Sequence, residues 1–350
     1  MKTRIVKAIG DPEADREVME EAGRIIRRGG LVAIPTETVY GLAGDALNPN
    51  SAGKIYETKG RPSDNPLIVH ISDVGSLEKI ARDIPDTAYK LADAFWPGPL
   101  TIVLKKTEAV PLETTGGLDT VAVRFPVNKI AEEFIAFSGG YIAAPSANIS
   151  GKPSCTKASH CIEDLDGKIE MIIDGGEVGI GLESTIVDLT EERPCILRQG
   201  YINEEMLHSV IKDVISDPPE SSHPKAPGMK YRHYAPEGEL TIVQGKRESV
   251  IARINELAVS HVKRGESCAV ISARENAAEY KNMIVKDAGS IENEDEIARN
   301  IFSILRELDS EGIRYIYSEN FDTPRLGAAI TDRMNRAAGF CVINADNKEE

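Results

Sequence analysis

The alternation of apolar and polar residues differs between the two halves of the chain. Up to residue 215, short β-rich apolar runs predict strands at 31–36, 67–71, 100–105, 121–125, 141–144, 170–173, 185–189 and 195–198. Helical periodicity occurs at 15–28, 76–82, 86–95, 128–137, 156–163 and 203–213, and a short helix is expected after Asn50. These helices separate some strands and not others, which predicts a mixed, twisted α/β sheet.

A more regular pattern begins after residue 237. Strands at 240–244, 267–271, 283–286 and 313–317 alternate with helices at 247–263, 274–281, 293–308 and 326–338. This order predicts a smaller, Rossmann-like parallel sheet covered by helices. No Gly-x-Gly-x-x-Gly follows its first strand, so we do not expect a dinucleotide site there. We therefore predict a catalytic domain at 1–215 and a C-terminal α/β domain at 238–350.

Residues 216–237 between these domains have the composition of a linker, with little periodicity and five prolines at 218, 219, 224, 227 and 236. A plain spacer has no use for the aromatic and cationic residues of Met229-Lys230-Tyr231-Arg232-His233-Tyr234. We therefore expect this segment to lie on another surface and to cap the active site.

Composition narrows the class of protein. The 350 residues are 41% hydrophobic and 28% charged, which is typical of a globular protein. A net charge of -15 argues against stable binding to a nucleic-acid backbone. Five cysteines without a Cys-x-x-Cys pair predict reduced thiols, and neither a signal peptide nor a membrane-spanning run is evident. We expect a cytoplasmic protein without a membrane partner.

The loop after the short helix carries the clearest candidate chemistry. Lys59 and Arg61 stand one residue apart on a segment stiffened by Pro62 and Pro66. A point charge beside a planar fork of donors suits the oxygens of a polyphosphate. The alternative is a solvated basic loop.

The other candidate side chains are small hydroxyls and amides, together with scattered cations. They are Thr36, Thr38, Ser146, Asn148, Ser150, Ser184 and Thr185, with Arg124, Arg198 and Arg232. Motifs for a covalent nucleophile, a Walker loop or a zinc protease are absent from the sequence. These residues favour catalysis by positioning and charge neutralisation, as in transfer at phosphorus.

Five segments stand out, in the order LVAIPTETVYGL (31–42), KGRPSDNPL (59–67), AAPSANISG (143–151), ESTIVD (183–188) and PGMKYRHYAP (227–236). In order and rough spacing they resemble the L-threonylcarbamoyladenylate synthase family in its long form, a YrdC-like domain plus a C-terminal domain. The resemblance covers nearly the whole chain. One position departs from it, since Ala226 stands where the family usually has Ser before Pro227.

The resemblance implies a nucleotidyltransferase. Such enzymes combine L-threonine, bicarbonate or CO2, and ATP into L-threonylcarbamoyladenylate and pyrophosphate. The resemblance also implies Mg2+; the sequence shows no dedicated metal ligands, so the ion would arrive with ATP. A separate complex would then transfer the threonylcarbamoyl group to tRNA, so this chain itself would handle the nucleotide.

The resemblance also implies roles for particular residues. Threonine would be bound by Thr38, His70, Arg124, Ala144 and Ser184. The nucleotide would be bound by Lys59, Arg61, Asn65, Thr120, Ser146, Asn148, Ser154, Arg198 and Tyr234, with Lys59 and Arg61 neutralising charge.

Each role has a structural alternative. His70 could be a core histidine, Arg124 could form a surface ion pair, and Tyr234 could simply anchor the linker. Ser146 and Asn148 could serve only the turn that Pro-Ser-Ala-Asn favours.

Two other functions compete with this interpretation. An RNA-binding or ribosome-associated module would need a broad basic face with stacking aromatics, whereas aromatic residues make up 5% of this acidic chain. A carbamoyltransferase of hydrogenase maturation would share the N-terminal domain type, but its zinc-finger and acylphosphatase regions are missing from this sequence.

Overall fold

A computed structural model of the chain describes residues 2–216 and 233–347. These residues form two compact units, the first made of 2–150 and 154–216, and the second of 151–153 and 233–347. Most of the predicted linker, including Arg232 and Ala226, lies outside the described residues.

The first unit is built on one mixed sheet. Its strands are β1 (Arg4–Lys7), β2 (Val32–Ile34), β3 (Gly41–Asp45), β4 (Ile68–His70), β5 (Ala81–Arg82), β6 (Leu100–Lys106), β7 (Thr120–Arg124), β8 (Ile142–Ala143), β9 (Met171–Asp174), β10 (Thr185–Asp188) and β11 (Cys195–Arg198). Their order is β1-β9-β2-β3-β8-β4-β7-β6-β10-β11, with β5 paired to β6. Parallel pairs such as β4–β7 and β6–β10 alternate with antiparallel ones, as the sequence predicts.

The helices of the first unit connect these strands. They are α1 (Arg16–Arg27), α2 (Pro49–Lys59), α3 (Leu77–Ile80), α4 (Asp86–Phe95), α5 (Lys129–Phe137), α6 (Ala158–Leu165) and α7 (Glu204–Val210). The predicted helix at 76–82 is therefore too long, because Ala81 and Arg82 form β5 against β6.

Buried side chains cover both faces of this sheet, and β2 contributes to a separate cluster on each face. Successive residues of β2 alternate between them, since Val32 and Ile34 join one cluster and Ala33 the other. The Val32 cluster includes Phe134 of α5 and Met19 of α1, both fully buried. α1 approaches α5 so closely that a Cβ on Gly23 would lie 2.4 Å from the carbonyl oxygen of Phe137. A glycine is therefore required at that position.

The carboxylate at the start of α1 serves the preceding loop. Asp15 occupies the N-cap position, but its side chain makes no capping hydrogen bond to the helix. Its Oδ2 accepts from the N–H groups of Ile9 and Gly10 at 2.9 and 2.7 Å. The carboxylate thus holds the loop that follows β1, a strand that the apolar pattern does not reveal because its side chains are mostly exposed.

The sheet register explains why residues distant in sequence meet. Parallel pairing of β4 with β7 sets His70 opposite Arg124, and antiparallel pairing of β6 with β7 sets Thr101 opposite Arg124. Because β10 runs parallel to β6 with Thr185 opposite Leu100, Ser184 reaches the same end of the sheet. The candidate site is assembled at this edge.

The second unit contains a parallel sheet. Its strands are β12 (Glu239–Gln244), β13 (Cys268–Ala273), β14 (Ile284–Gly289), β15 (Tyr315–Glu319) and β16 (Val342–Asn344), in the order β14-β13-β15-β12-β16. Its helices are α8 (Arg247–Lys263), α9 (Glu294–Ser310) and α10 (Gly327–Ala337). A Rossmann-like parallel sheet was expected, and the pairings are parallel.

Two predictions for this unit were wrong in detail. The segment predicted as a helix at 274–281 is a 3-10 turn at Arg274–Glu279, since six residues offer few bonds to offset the nucleation of an α-helix. The short strand β16 was missed because its side chains are largely exposed at the edge of the sheet.

Candidate functional site

The turn after β2 places two threonine hydroxyls in a buried cluster. Thr36 Oγ1 donates to the carbonyl oxygen of Val39 at 2.7 Å and accepts the N–H of Thr38 at 3.2 Å. The two hydroxyl oxygens, Thr36 Oγ1 and Thr38 Oγ1, lie 3.0 Å apart. The position of Thr38 is therefore fixed by its own turn.

Arg124 reaches this turn from the end of β7. Its Nη1 donates to Thr38 Oγ1 at 2.9 Å, and its Nη2 lies 2.7 Å from Oε1 of Glu37. The side chains of Arg124 and Glu37 are only 5% and 10% exposed. The alternative of an ion pair is thus correct in part, but the pair is buried and not at the surface.

This buried pair is incompletely hydrogen-bonded. The Nη2–Oε1 approach is close enough for charge attraction, yet the hydrogen is not directed at the oxygen. Within the described residues, both carboxylate oxygens of Glu37 and the Nε and Nη2 groups of Arg124 have no hydrogen-bond partner. Buried charged groups without hydrogen-bond partners are costly, so the arrangement suits a ligand carrying both charges.

His70 lies beside Arg124 on the neighbouring strand. Its Nδ1 is 3.2 Å from the carbonyl oxygen of Ile68, and its side chain is buried. Burial, with a smaller contribution from the Arg124 guanidinium, lowers the pKa of His70 to about 3. The imidazole is therefore neutral near pH 7 and adds no positive charge beside Arg124. Ala144, on the other side of β4, donates its N–H to Ile68 at 3.0 Å.

Ser184 is held at the start of β10 by two partners. Its Oγ lies 2.7 Å from Thr101 Oγ1. Arg198 donates from Nε and Nη2 to the Ser184 carbonyl oxygen at 3.0 and 2.9 Å, and Nη2 lies 3.2 Å from Ser184 Oγ. Arg198 therefore braces the Ser184 backbone.

Lys59 is the last residue of α2, and Gly60 ends that helix with a φ of 61°. The Lys59 side chain is 1% exposed, and its Nζ donates to the carbonyl oxygens of Ser146, at 2.5 Å, and Asn148. Burial lowers its pKa to about 7, with a contribution from the Arg61 charge. The alternative of a solvated basic tip is wrong for Lys59, which braces the Pro-Ser-Ala-Asn segment.

Arg61 stabilises its own loop. Its Nε donates to the carbonyl oxygen of Asn65 at 3.1 Å, and its Nη2 donates to that of Pro66 at 3.0 Å. The Oδ1 of buried Asn65 has no hydrogen-bond partner among residues 2–216 and 233–347. The loop of residues 59–67, called the cationic loop below, is thus held in place by Arg61. It also contains an acceptor, Asn65 Oδ1, that is available to a ligand.

The remaining predicted nucleotide residues are dispersed. Ser154 Oγ donates to Glu183 Oε1 at 2.6 Å, and Asn148 Nδ2 donates to the carbonyl oxygen of Ile149 at 2.9 Å. Half-exposed Ser146 forms an isolated bridge with Gly41. Thr120 begins β7, about 13 Å along the strand from Arg124, so the structure does not bring it into the Arg124 cluster.

Tyr234 belongs to the second unit. Its ring is buried, with its centroid 5.0 Å from that of Phe302, and the Arg333 guanidinium lies 5.9 Å from it. This packing is what the anchoring alternative predicts. The role of Tyr234 toward a nucleotide remains a prediction.

Sequence reasoning missed three polar residues of this region, namely Glu37, Thr101 and Glu183. Glu37 was detectable, because it lies between two candidate threonines and a buried arginine needs a counter-charge. Thr101 and Glu183 can be identified only from the strand register and the side-chain contacts.

In the described part of the chain, no group of three or more His, Cys, Asp or Glu side chains is arranged to hold a metal. The helices of residues 2–216 and 233–347 include none long and apolar enough to cross a membrane.

Comparison with known families gives two consecutive matches. A family model described as "Telomere recombination" matches residues 24–200. A second, described as the C-terminal domain of threonylcarbamoyl-AMP synthase, matches residues 202–339.

Similar proteins span nearly the whole chain. The threonylcarbamoyl-AMP synthase of Pyrococcus abyssi is 48% identical over 337 residues, covering 94% of this chain and 97% of that protein. The Bacillus subtilis enzyme of the same name is 43% identical, covering 92% of this chain and 93% of its own. A crystal structure of P. abyssi Sua5 complexed with L-threonine superposes with a TM-score of 0.91 at 45% identity, covering 98% of this chain and 99% of that one.

Proposed function

The chain belongs to the threonylcarbamoyl-AMP synthase family, and we propose that its Arg124–Glu37 pair holds the two charged ends of L-threonine. One observation supports the proposal above all. Arg124 and Glu37 form a buried ion pair, and the Nε and Nη2 groups of Arg124 and both carboxylate oxygens of Glu37 lack hydrogen-bond partners among the described residues. An amino acid carries a carboxylate and an ammonium group, which complement Arg124 and Glu37 respectively. Binding it would satisfy groups that are costly to bury alone.

The neighbouring hydroxyls supply selectivity in this proposal. Thr38 and Ser184 stand on opposite sides of Arg124 along the sheet edge, and neutral His70 forms part of the same surface. Hydroxyls fixed by Thr36 and Thr101 are suited to reading the hydroxyl of threonine, since preorganised donors lose little entropy on binding. Ala144 would contribute only backbone and a methyl group.

The proposed reaction forms two bonds in succession. The threonine ammonium loses a proton, its nitrogen bonds to the carbon of bicarbonate-derived CO2, and loss of a second proton gives a carbamate; the hydroxide released from bicarbonate takes one of these protons and solvent takes the other. A carbamate oxygen then attacks the α-phosphorus of ATP, and pyrophosphate leaves. This is nucleotidyl transfer, the activity for which the family is named, and bicarbonate as the carbon source is part of our proposal.

We divide the work of the cationic loop between its two cations. Arg61 would contact the phosphates directly, as a planar guanidinium suits them. Lys59, with its ammonium on two carbonyl oxygens, would position Ser146 and Asn148 beside the nucleotide. Asn65 would contact the nucleotide through its side-chain amide, whose Oδ1 has no hydrogen-bond partner among the described residues. Ser154, Arg198, Thr120 and Tyr234 remain proposed nucleotide residues. Mg2+ would enter bound to ATP, because triphosphates bind it in solution.

The proposal includes a downstream partner and a location. A mixed anhydride of AMP is an activated intermediate, so a separate threonylcarbamoyl-transfer complex acting on tRNA would consume it. We place the protein in the cytoplasm, where its substrates and that complex would meet.

Pyrophosphate release from ATP tests the function directly. It should require both L-threonine and bicarbonate, and Arg124→Lys should reduce it strongly by replacing a planar fork with a point charge. Arg4→Lys is a matched control, since Arg4 forms an exposed ion pair with Glu21. Pyrophosphate release independent of threonine would refute the proposal. Salt-sensitive tRNA binding without ATP turnover would favour the RNA-binding alternative.

A further inference from the structure

The second unit contains a crevice that the proposed reaction does not use. It has a volume of about 430 Å³ and lies at the carboxyl ends of β12, β15 and β16, where Gln244, Glu319 and Asn344 end their strands. All pairings in this sheet are parallel. Ligands of open parallel α/β sheets bind at this edge.

The strand order marks this position as a topological switch point. From β12 the chain crosses to β13 on one side, whereas from β15 it crosses to β16 on the other. Right-handed crossovers in opposite directions place their helices on opposite faces of the sheet. The connections after adjacent β12 and β15 therefore diverge and leave a gap above the strand ends.

Two of the three charged side chains that line the crevice, Glu319 and Asp322, are carboxylates, and the third is Arg247. Glu319 is 6% exposed, and its oxygens accept from Tyr280 Oη at 2.6 Å, Asn276 Nδ2 at 2.9 Å and the Ala273 N–H at 3.2 Å. These donors are neutral, and burial raises the pKa of Glu319. Exposed Asp322 adds a second carboxylate to the lining.

The positive groups nearby are already engaged. Arg247 donates from Nε to Asn276 Oδ1 at 2.6 Å and from Nη2 to the Glu279 carboxylate. At the start of α8, the Lys246 N–H is bonded to the Asp346 carboxylate at 3.0 and 3.1 Å. A phosphate would therefore meet two carboxylates, while Nε and Nη2 of Arg247 and the Lys246 N–H are already bonded to other groups.

The rest of the lining combines an apolar wall with amides. The apolar lining residues are Val243, which is fully buried, Val250, which is 6% exposed, and Ile291, which is 43% exposed. Gln244, Asn320 and Asn344 contribute side-chain amides. An apolar wall accommodates a flat ring, and amides can pair with the edge of a nucleobase.

We propose that this crevice binds an uncharged ribonucleoside. The ribose hydroxyls donate to Asp322 and Glu319, the base lies against Ile291 and Val250, and the amides contact its edge. This binding site lies outside the proposed threonine and ATP residues, and the two carboxylates, with Arg247 already bonded, select against the phosphorylated forms.

Adenosine is the probe for the test, titrated calorimetrically into the full-length protein without ATP or threonine. Asp322→Asn should weaken adenosine binding about tenfold or more, because a charge-assisted hydrogen bond is lost. Asp322 is exposed, so the variant should fold. Asp213→Asn is a matched control on an exposed aspartate of the first unit and should bind adenosine like wild type.

Hydrogen–deuterium exchange separates this site from the catalytic one. Adenosine should protect peptides covering 243–250 and 315–322, and 2′-deoxyadenosine and AMP should bind more weakly than adenosine. Protection confined to residues 2–216, AMP binding as tightly as adenosine, or an unaffected Asp322→Asn variant would each overturn the proposal. Spermidine binding in place of adenosine would also overturn it, since the acidic lining would then select a cation.

Discussion

Glu37→Gln is the change that tests the assembled site most directly. Gln has nearly the same shape as Glu, so packing around the Thr36–Thr38 turn should persist. The negative charge that faces Arg124 Nη2 at 2.7 Å is removed. In the proposed complex, the ammonium of L-threonine also loses its anionic acceptor.

The magnitude follows from the loss of one charge-assisted hydrogen bond, about 1.5–3 kcal/mol. Since about 1.4 kcal/mol corresponds to tenfold, kcat/KM for L-threonine should fall about 10- to 100-fold. Arg124 also keeps its charge without a counter-ion, and breaking a buried pair costs about 3–5 kcal/mol of stability. The amide oxygen of Gln still accepts a hydrogen bond, so we expect the low end of that range.

The assay is pyrophosphate release at varied L-threonine and varied ATP, with urea unfolding in parallel. The loss should appear in the threonine dependence and leave the KM for ATP near its wild-type value. Glu183→Gln is the matched control, because Glu183 is another buried glutamate and it accepts from Ser154. That variant should leave the threonine dependence intact.

One result would refute the reasoning. If folded Glu37→Gln retains the wild-type dependence on L-threonine, the carboxylate does not touch the substrate. The two carboxylate oxygens of Glu37 that lack hydrogen-bond partners would then have no role in binding threonine. An equal loss in Glu183→Gln would show that any buried charge change disturbs this site.

Four further predictions concern phosphate binding, substrate selectivity, core packing and the pH dependence of stability. Arg61→Ala should cost about 2–4 kcal/mol of transition-state stabilisation and also remove the hydrogen bonds to the Asn65 and Pro66 carbonyl oxygens; near-normal pyrophosphate release would remove Arg61 from phosphate binding. L-serine should be a poor substrate and L-valine should fail, because a site that bonds a hydroxyl rejects an analogue lacking it; comparable turnover with valine would contradict this. Phe134→Ala should lower the free energy of unfolding by about 3–5 kcal/mol, since that ring is fully buried, and an unchanged urea midpoint would contradict this packing. In the folded protein the pKa of His70 is lowered to about 3 from an ordinary 6.5. Its contribution to stability is therefore present above pH 6.5 and is lost as pH falls toward 3. Between pH 7 and pH 5, the free energy of unfolding of His70→Asn should therefore fall less than that of the wild type.

The apolar pattern predicts most of the fold because burial imposes a period on long elements. α4 and α5 were predicted close to their observed bounds, since each buries one stripe. β1 and β16 escaped prediction because edge strands bury few side chains. β3 escaped because its sequence, GLAGD, contains two glycines, and the structure shows why: a Cβ on Gly44 would lie 3.1 Å from side-chain carbons of Ile55 and Leu31.

The candidate site is less predictable because residue type indicates the chemistry that a side chain can perform and not its partner. Lys59 and Arg61 look equivalent in the sequence. The Lys59 ammonium, however, donates to the carbonyl oxygens of Ser146 and Asn148, which are distant in sequence. Arg61 instead braces its own loop. Only the fold, which brings residue 146 to residue 59, distinguishes the two cations.

The same reasoning explains why the site lies where it does. The threonine-binding candidates converge because β4 and β7 are parallel and β6 is antiparallel to β7, so two strand ends and one strand start meet at Arg124. A one-residue slip of β7 against β6 would move Arg124 to the opposite face of the sheet and break its contacts with Thr38 and Glu37. The buried alternation Val121-Ala122-Val123 opposes such a slip, since these side chains would exchange faces as well. Packing of the core thus sets the register, and the register in turn holds the guanidinium beside its carboxylate.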